Sequence, residues 1–181
     1  QKFIDMGMTP AFEAEEAIER ANVIIDCTPV GNENKEKLYN KYANNGRGFI
    51  AQGSEDGFGK KYARGINEKA LVKGRDQFIQ VVSCNTHNIS VLIKALAMDT
   101  DGTNHLVDGR FLAMRRANDI SQDDGFIASP TVGKHEDPRF GTHHARDAHD
   151  VFSTLGYDLN VYSSAVKLNT QLMHSLHFAL T

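Results

Sequence analysis

The sequence predicts an α/β chain in two parts, a doubly wound domain with a parallel sheet over residues 1–83 followed by an α+β domain with a mixed or antiparallel sheet over 84–181. Three observations carry this expectation. Helical and strand-like segments alternate through residues 9–83, the pattern of βαβ units. The strands there are short continuous apolar runs, as expected of strands covered on both faces. Beyond Cys84 and the helix it opens, longer strand-like runs are separated by a segment bearing Gly, Pro and His.

Thr9-Pro10 followed by Phe12, Ala14, Ala17, Ile18 and Ala21 reads as a helix with Thr9 as N-cap and Pro10 at its first position. Asn22 to Cys27 is a strand closed by Thr28-Pro29 and Gly31, and its apolar run places Cys27 in the core. Lys35 to Tyr42 reads as a polar helix, and Gly48 to Ala51 as a strand ending at Gln52-Gly53. In a doubly wound sheet, ligands sit at the carboxyl ends of the strands, where Thr28-Pro29 and Gln52-Gly53 fall. Phe78 to Ser83 is a further strand that runs straight into Cys84-Asn85-Thr86-His87. Ile89, Leu92, Ile93 and Leu96 then form a helical stripe that Asp99 to Gly102 terminates. Arg110 to Met114, Leu159 to Val166 and Leu172 to Leu180 read as strands.

Composition narrows the function class. With 40% apolar residues the chain can bury a core, and no apolar stretch approaches the ~18 residues that span a bilayer. A net charge of −3, with both signs well mixed, gives no electrostatic reason to expect nucleic acid or an anionic membrane. Cys27 and Cys84, far apart and in unlike contexts, predict reduced thiols in a cytoplasmic protein. Gln1 in place of Met, no leader pattern, and a final strand running to Thr181 without a polar tail predict a segment cut at both ends.

Cys84 stands where a buried strand meets the first turn of a helix, a place where unpaired N–H groups and the helix dipole stabilise a thiolate. The commoner fate of a cysteine is core packing, but Ser83, Asn85 and Thr86 are polar and turn-forming, which favours a nucleophile. Five of the eight histidines follow Gly141, in His143-His144 and His149 and in His174 and His177. Each could be an ordinary surface residue or a base. A metal site has neither a paired-cysteine nor a His-Glu-x-x-His pattern behind it, so no metal is expected. Arg115-Arg116 closes an apolar run, which fits either a phosphate site or a solvated strand end.

The run Gln80-Val81-Val82-Ser83-Cys84-Asn85-Thr86 resembles the nucleophile segment of the archaeal-type, phosphorylating glyceraldehyde-3-phosphate dehydrogenases. Further landmarks agree in order: Val23 to Asp26 with Thr28-Pro29, Ala51-Gln52-Gly53 with Glu55, Met114 to Ala117 with Asp119, His143-His144 with Asp147, and Leu172-Met173-His174. The resemblance implies the later part of a Rossmann-type nucleotide-binding domain followed by part of the catalytic domain. It also implies a homotetramer acting on a phosphorylated aldehyde and inorganic phosphate, with NAD or NADP as cofactor. Carried over, it makes Cys84 the nucleophile and His174 the catalytic base. Ser83, Asn85, His143 and His144 become substrate contacts, and Thr28, Pro29, Gly53, Ser54 and Arg116 positions at or beside the cofactor. Cys84 would form a thiohemiacetal, hydride transfer would leave a thioester, and phosphate would release the acyl phosphate.

Two departures stand out. His87-Asn88 occupies the place of the family's second threonine and glycine, and His174-Ser175-Leu176-His177 replaces its His-x-His, which turns His177 toward the other face of a strand. These departures keep two alternatives open: a related semialdehyde or acyl-phosphate dehydrogenase, and a non-catalytic dinucleotide-binding paralogue.

Overall fold

The structure, a computed structural model, describes residues 2–53, 55–116, 130–170 and 173–181. Ser54, and the landmarks Ala117, Asp119 and Leu172, lie outside the described residues. The chain divides into two compact units, one made of Gln1–Lys60 with Val72–Val81 and the other of Lys61–Leu71 with Val82–Thr181. The fold is α/β, with a parallel sheet in the first unit and a mixed sheet in the second.

In the first unit α1 (Lys2–Asp5) and α2 (Ala14–Arg20) precede β1 (Val23–Asp26), and α3 (Gly31–Lys37) separates β1 from β2 (Gly48–Ala51). β3 (Lys60–Tyr62) follows, and within this unit β4 (Phe78–Val81) completes the order β1-β2-β4. β1 and β2 run parallel from Val23↔Gly48, and β2 and β4 from Phe49↔Phe78. Phe49, fully buried, stacks between Tyr39 at 5.1 Å and Phe78 at 4.8 Å and centres a small aromatic core with Ile18, Ala51 and Phe58. Gly59 runs so close to β4 that a Cβ there would lie 2.1 Å from the Phe78 carbonyl oxygen.

Several expectations for this unit are corrected. The helix begins at Ala14 with Glu13 as N-cap, so Thr9 and Pro10 stand outside it. Phe12 and Met8 are exposed, so a longer helix would have nothing to pack against. β1 is covered on one face only: Ile24 and Asp26 turn inward, while Val23 and Ile25 are 54% and 67% exposed. The same alternation turns Cys27 out to solvent, against the expectation of core packing. The helix expected over Lys35 to Tyr42 lies earlier, at Gly31–Lys37, and gives way to short 3₁₀ turns at Tyr39–Lys41 and Ala43–Asn45.

The second unit opens its main body with α4 (Cys84–Ala97) and continues through β5 (Gly109–Arg116), β6 (Thr131–Val132), α5 (His143–Ser153), β7 (Val161–Leu168) and β8 (Ser175–Leu180). Its sheet has the order β6-β7-β5-β8. β5 and β7 are parallel from Gly109↔Val161 to Arg116↔Leu168, and β8 lies antiparallel on the other side of β5. Phe111 of β5 and Val161 of β7 meet Ile89 and Ile93 of α4 and Ala145, Ala148, Val151 and Phe152 of α5 in one core. Ile89 and Ile93, both fully buried, each contribute about 1.5–3 kcal/mol of apolar burial. Leu96, expected on the same stripe, is 61% exposed. α5 lies within the Gly-, Pro- and His-bearing segment, and its Ala145, Ala148, Val151 and Phe152 recur at helical spacing on its buried side. No described helix is long and apolar enough to cross a membrane.

Candidate active site

The first turn of α4 supplies the reactive thiol. Ser83 is the N-cap, in extended conformation, and its Oγ accepts the Thr86 N–H at 3.3 Å while lying 3.0 Å from Thr86 Oγ1. Cys84 follows as the first helical residue and is exposed, whereas Asn85 and Thr86 beside it are buried. The N–H groups of Cys84 and Asn85 belong to the first turn, where no preceding helical carbonyl exists to receive them. His87, one position on, points elsewhere: its Nε2 lies 2.9 Å from the Arg64 carbonyl oxygen.

His174 reaches this turn from the segment immediately before β8, so it precedes the strand it was expected to interrupt. Its Nδ1 lies 3.8 Å from Cys84 Sγ and 3.3 Å from Asn85 Oδ1. His177 pairs with Leu112 across the sheet and sits on the exposed side of β8, alternating with Leu176 and Phe178, which pack on the core.

α5 brings two more imidazoles to the same turn. Its N-cap Thr142 makes no side-chain cap; Ser163 of β7 does so instead, its Oγ accepting the Ala145 N–H at 3.0 Å and lying 2.6 Å from Thr142 Oγ1. His144, only 2% exposed, places Nδ1 3.3 Å from Ser83 Oγ, and its Nε2 is buried without a hydrogen-bond partner. Burial pulls its pKa down to about 3, helped by the charges of His143, Arg115 and His174, so the ring is neutral at physiological pH. His143, 4.0 Å away between ring centroids, is also held below the ordinary histidine range, chiefly by desolvation, with Asp147 pulling the other way. Asp147, one turn along α5 and 1% exposed, receives Lys61 Nζ at 2.7 Å and Arg146 at 3.2 Å, and Lys61 also binds Asp150 at 2.6 Å.

Arg115, read with Arg116 as a possible phosphate site but given no role by the resemblance, belongs to this cluster. Along β5 the inward positions are Phe111 and Ala113, and two residues further the same side carries Arg115, while Arg116 falls on the opposite side. The Arg115 charge acts on both His143 and His144, and its Nε is buried without a hydrogen-bond partner. The alternation of Phe111, Ala113 and Arg115 is the signal in the sequence that selects it. Ser83, Cys84, Asn85, His143, His144 and His174, read separately along the chain, thus converge with Arg115 in the second unit. Together they offer a thiol, a base within reach of it, neutral imidazole groups and a half-buried cation. Among the described residues, no group of three or more His, Cys, Asp and Glu side chains is placed to hold a metal ion.

Comparison with known proteins gives this geometry a context. No family model matches the chain. It is 33% identical to glyceraldehyde-3-phosphate dehydrogenase 1 of Methanosarcina barkeri over 178 residues, 96% of this chain and 48% of that protein. It is 32% identical to the glyceraldehyde-3-phosphate dehydrogenase of Archaeoglobus fulgidus over 88% of this chain and 44% of that protein, and 29% identical to that of Pyrobaculum islandicum over 98% and 48%. The chain is homologous to the archaeal glyceraldehyde-3-phosphate dehydrogenases. It spans about half the length of the curated relatives it matches.

The other candidates of this dehydrogenase homologue lie in the first unit, Arg116 excepted. Thr28-Pro29 and Gly53 stand side by side at the carboxyl ends of β1 and β2, whose last paired residues are Asp26↔Ala51. The Thr28 N–H and hydroxyl both donate to Asp26 Oδ1, at 2.7 and 2.6 Å, and Tyr39 and Asn34 donate to Oδ2 at 2.7 and 2.9 Å. These bonds hold the Asp26 carboxylate below its usual range against the opposing effect of burial. At the corresponding end of β4, Gln80 donates to the Gly53 carbonyl at 3.3 Å, and its Oε1 is buried without a hydrogen-bond partner.

Proposed function

We propose that this protein oxidises glyceraldehyde 3-phosphate to 1,3-bisphosphoglycerate, with NAD or NADP as hydride acceptor and inorganic phosphate as second substrate. The observation that carries the reading is the placement of His174 Nδ1 3.8 Å from the Sγ of an exposed cysteine in the first turn of a helix. Homology to enzymes named for this activity supports it.

Cys84 attacks the aldehyde carbon as the thiolate, forming a C–S bond while the carbonyl π pair moves to oxygen, and the oxyanion takes a proton from water to give a tetrahedral thiohemiacetal. The first-turn N–H groups of Cys84 and Asn85 are the donors for the developing oxyanion. His174 takes the hydroxyl proton as hydride leaves the carbonyl carbon, and the product at Cys84 is a thioester. Phosphate oxygen then attacks the thioester carbon, the C–S bond breaks, and Cys84 is regenerated as the thiolate. Arg115 supplies the positive charge for an anionic group in this cluster, because a guanidinium whose buried Nε–H is unsatisfied is a ready partner for phosphate oxygens. His143 and His144, held uncharged, together with Ser83 and Asn85 are the neutral hydrogen-bonding contacts of the substrate.

A bound nicotinamide would supply the hydride acceptor. The first unit fits a dinucleotide in two respects: Thr28-Pro29 and Gly53 lie at the carboxyl ends of parallel strands, and the orphaned Gln80 Oε1 beside Gly53 is an acceptor suited to an amide donor. Because the Thr28 N–H and hydroxyl are both committed to Asp26 and Pro29 carries no N–H, contact from Thr28-Pro29 would come through main-chain carbonyls. Arg116 remains a cofactor candidate by resemblance. The assay is phosphate-dependent reduction of NAD or NADP with glyceraldehyde 3-phosphate. Turnover that Cys84→Ser abolishes is expected; reduction seen only with a non-phosphorylated semialdehyde, or with neither cofactor, overturns the reading.

A further inference from the structure

We infer that Asn85 is a positioning residue that holds His174 in the tautomer carrying its proton on Nδ1, the nitrogen facing Cys84. The inference rests on the reading of Cys84 and His174 as nucleophile and base, and gives Asn85 a task distinct from contact with substrate. His174 Nδ1 lies 3.3 Å from Asn85 Oδ1, and a carbonyl oxygen can only accept, so the hydrogen between them belongs to Nδ1. Asn85 is 5% exposed and sits in the second position of α4, so water competes poorly for that oxygen and the helix fixes where it stands.

The same Nδ1 is 3.8 Å from Cys84 Sγ, so the proton that Asn85 keeps there lies beside the sulfur. Two consequences follow. A thiolate at Cys84 meets a hydrogen-bond donor instead of a lone pair, which favours the nucleophilic form. A neutral ring with its proton on Nδ1 has its one lone pair on Nε2, so any further proton that makes the ring an imidazolium is held there. With Oδ1 given to His174, the amide NH₂ of Asn85 is the end left for substrate, so both tasks fit one side chain.

The test is a long-range ¹H–¹⁵N correlation spectrum of the protein with ¹⁵N-labelled histidine, recorded without substrate or cofactor at a pH where the rings are neutral. His174 is assigned by its loss in His174→Gln. The expected spectrum shows Nδ1 as the protonated nitrogen and Nε2 as the unprotonated one. Asn85→Asp, which keeps an acceptor in place, preserves that pattern, and Asn85→Leu loses it. A wild-type His174 with its proton on Nε2 overturns the inference without need of any variant, as does an unchanged spectrum in folded Asn85→Leu. Because no turnover is involved, an inactive protein with the Nδ1–H tautomer would refute the proposed reaction and leave this inference standing.

Discussion

Ser83 Oγ lies 3.3 Å from Nδ1 of His144, which ties the N-cap of α4 to the first turn of α5. One hydroxyl therefore serves the helix that presents Cys84 and also meets a buried histidine. Replacing Ser83 with Ala removes the cap, at about 1 kcal/mol, and strips a partner from buried His144 and Thr86, at about 1–3 kcal/mol. Urea unfolding should show Ser83→Ala less stable by about 2–3 kcal/mol, with Ser83→Thr closer to wild type. A loss under about 0.5 kcal/mol would show that this hydroxyl does not join the two helices.

His144 makes stability depend on pH in a defined window. Its folded pKa, down to about 3, lies below the ordinary 6.5, so between those values the unfolded chain binds a proton that the folded chain does not. Stability therefore rises with pH across this window and falls as pH drops below 6.5. From pH 6.5 to 5 the loss is about 2 kcal/mol, and His143, shifted in the same direction, adds to it. The carboxylates held below their usual range act only at lower pH. Denaturant midpoints from pH 7.5 to 5 should fall in wild type and fall less in His144→Gln; parallel curves would contradict the assignment.

Lys61 and Asp147 form a buried ion pair at 2.7 Å, with side chains 11% and 2% exposed. Lys61→Met leaves the Asp147 and Asp150 carboxylates without this ammonium and should destabilise the protein by about 3–5 kcal/mol. The double variant Lys61→Met with Asp147→Leu removes the stranded charge and should recover much of that loss. Thermal unfolding of the three proteins decides the matter, and additive losses in the double variant would contradict it.

Arg115 and Arg116 separate by function if the inward face of β5 is the substrate side. Arg115→Ala should raise KM for the phosphorylated aldehyde or for phosphate roughly 100-fold, the loss of about 3 kcal/mol from a buried charge-assisted contact. Arg116→Ala should act on KM for NAD or NADP and leave the aldehyde KM near wild type. The reverse pattern in steady-state kinetics would exchange their roles.

The sequence displays some of this arrangement openly and conceals the rest for physical reasons. β4, the Ser83 cap and α4 are local features, written as an apolar run, a polar turn and a helical stripe. α5 was concealed because its buried side mixes Ala145 and Ala148 with His144 and Asp147, whose burial depends on partners from Ser83, Lys61 and Ser163 that no local pattern reveals. β1 looks like a strand buried on both sides, yet its inward residue is Asp26, satisfied by Thr28, Asn34 and Tyr39, while Val23, Ile25 and Cys27 face out. Nothing in composition marks Lys61–Leu71 as part of the second unit, since that assignment comes from packing alone. Arg115 was legible in principle, through the period of two that continues from Phe111 and Ala113.

The most direct test of the account is to trap the acyl group on Cys84. Incubated with glyceraldehyde 3-phosphate and NAD or NADP in the absence of phosphate, the protein should accumulate a phosphoglyceroyl thioester that peptide mass spectrometry locates on Cys84. Added phosphate should discharge it, Cys84→Ser should abolish it, and Cys27→Ser should leave it intact. Turnover without an adduct on Cys84, or an adduct on another residue that survives Cys84→Ser, would contradict the assignment of Cys84 as the nucleophile.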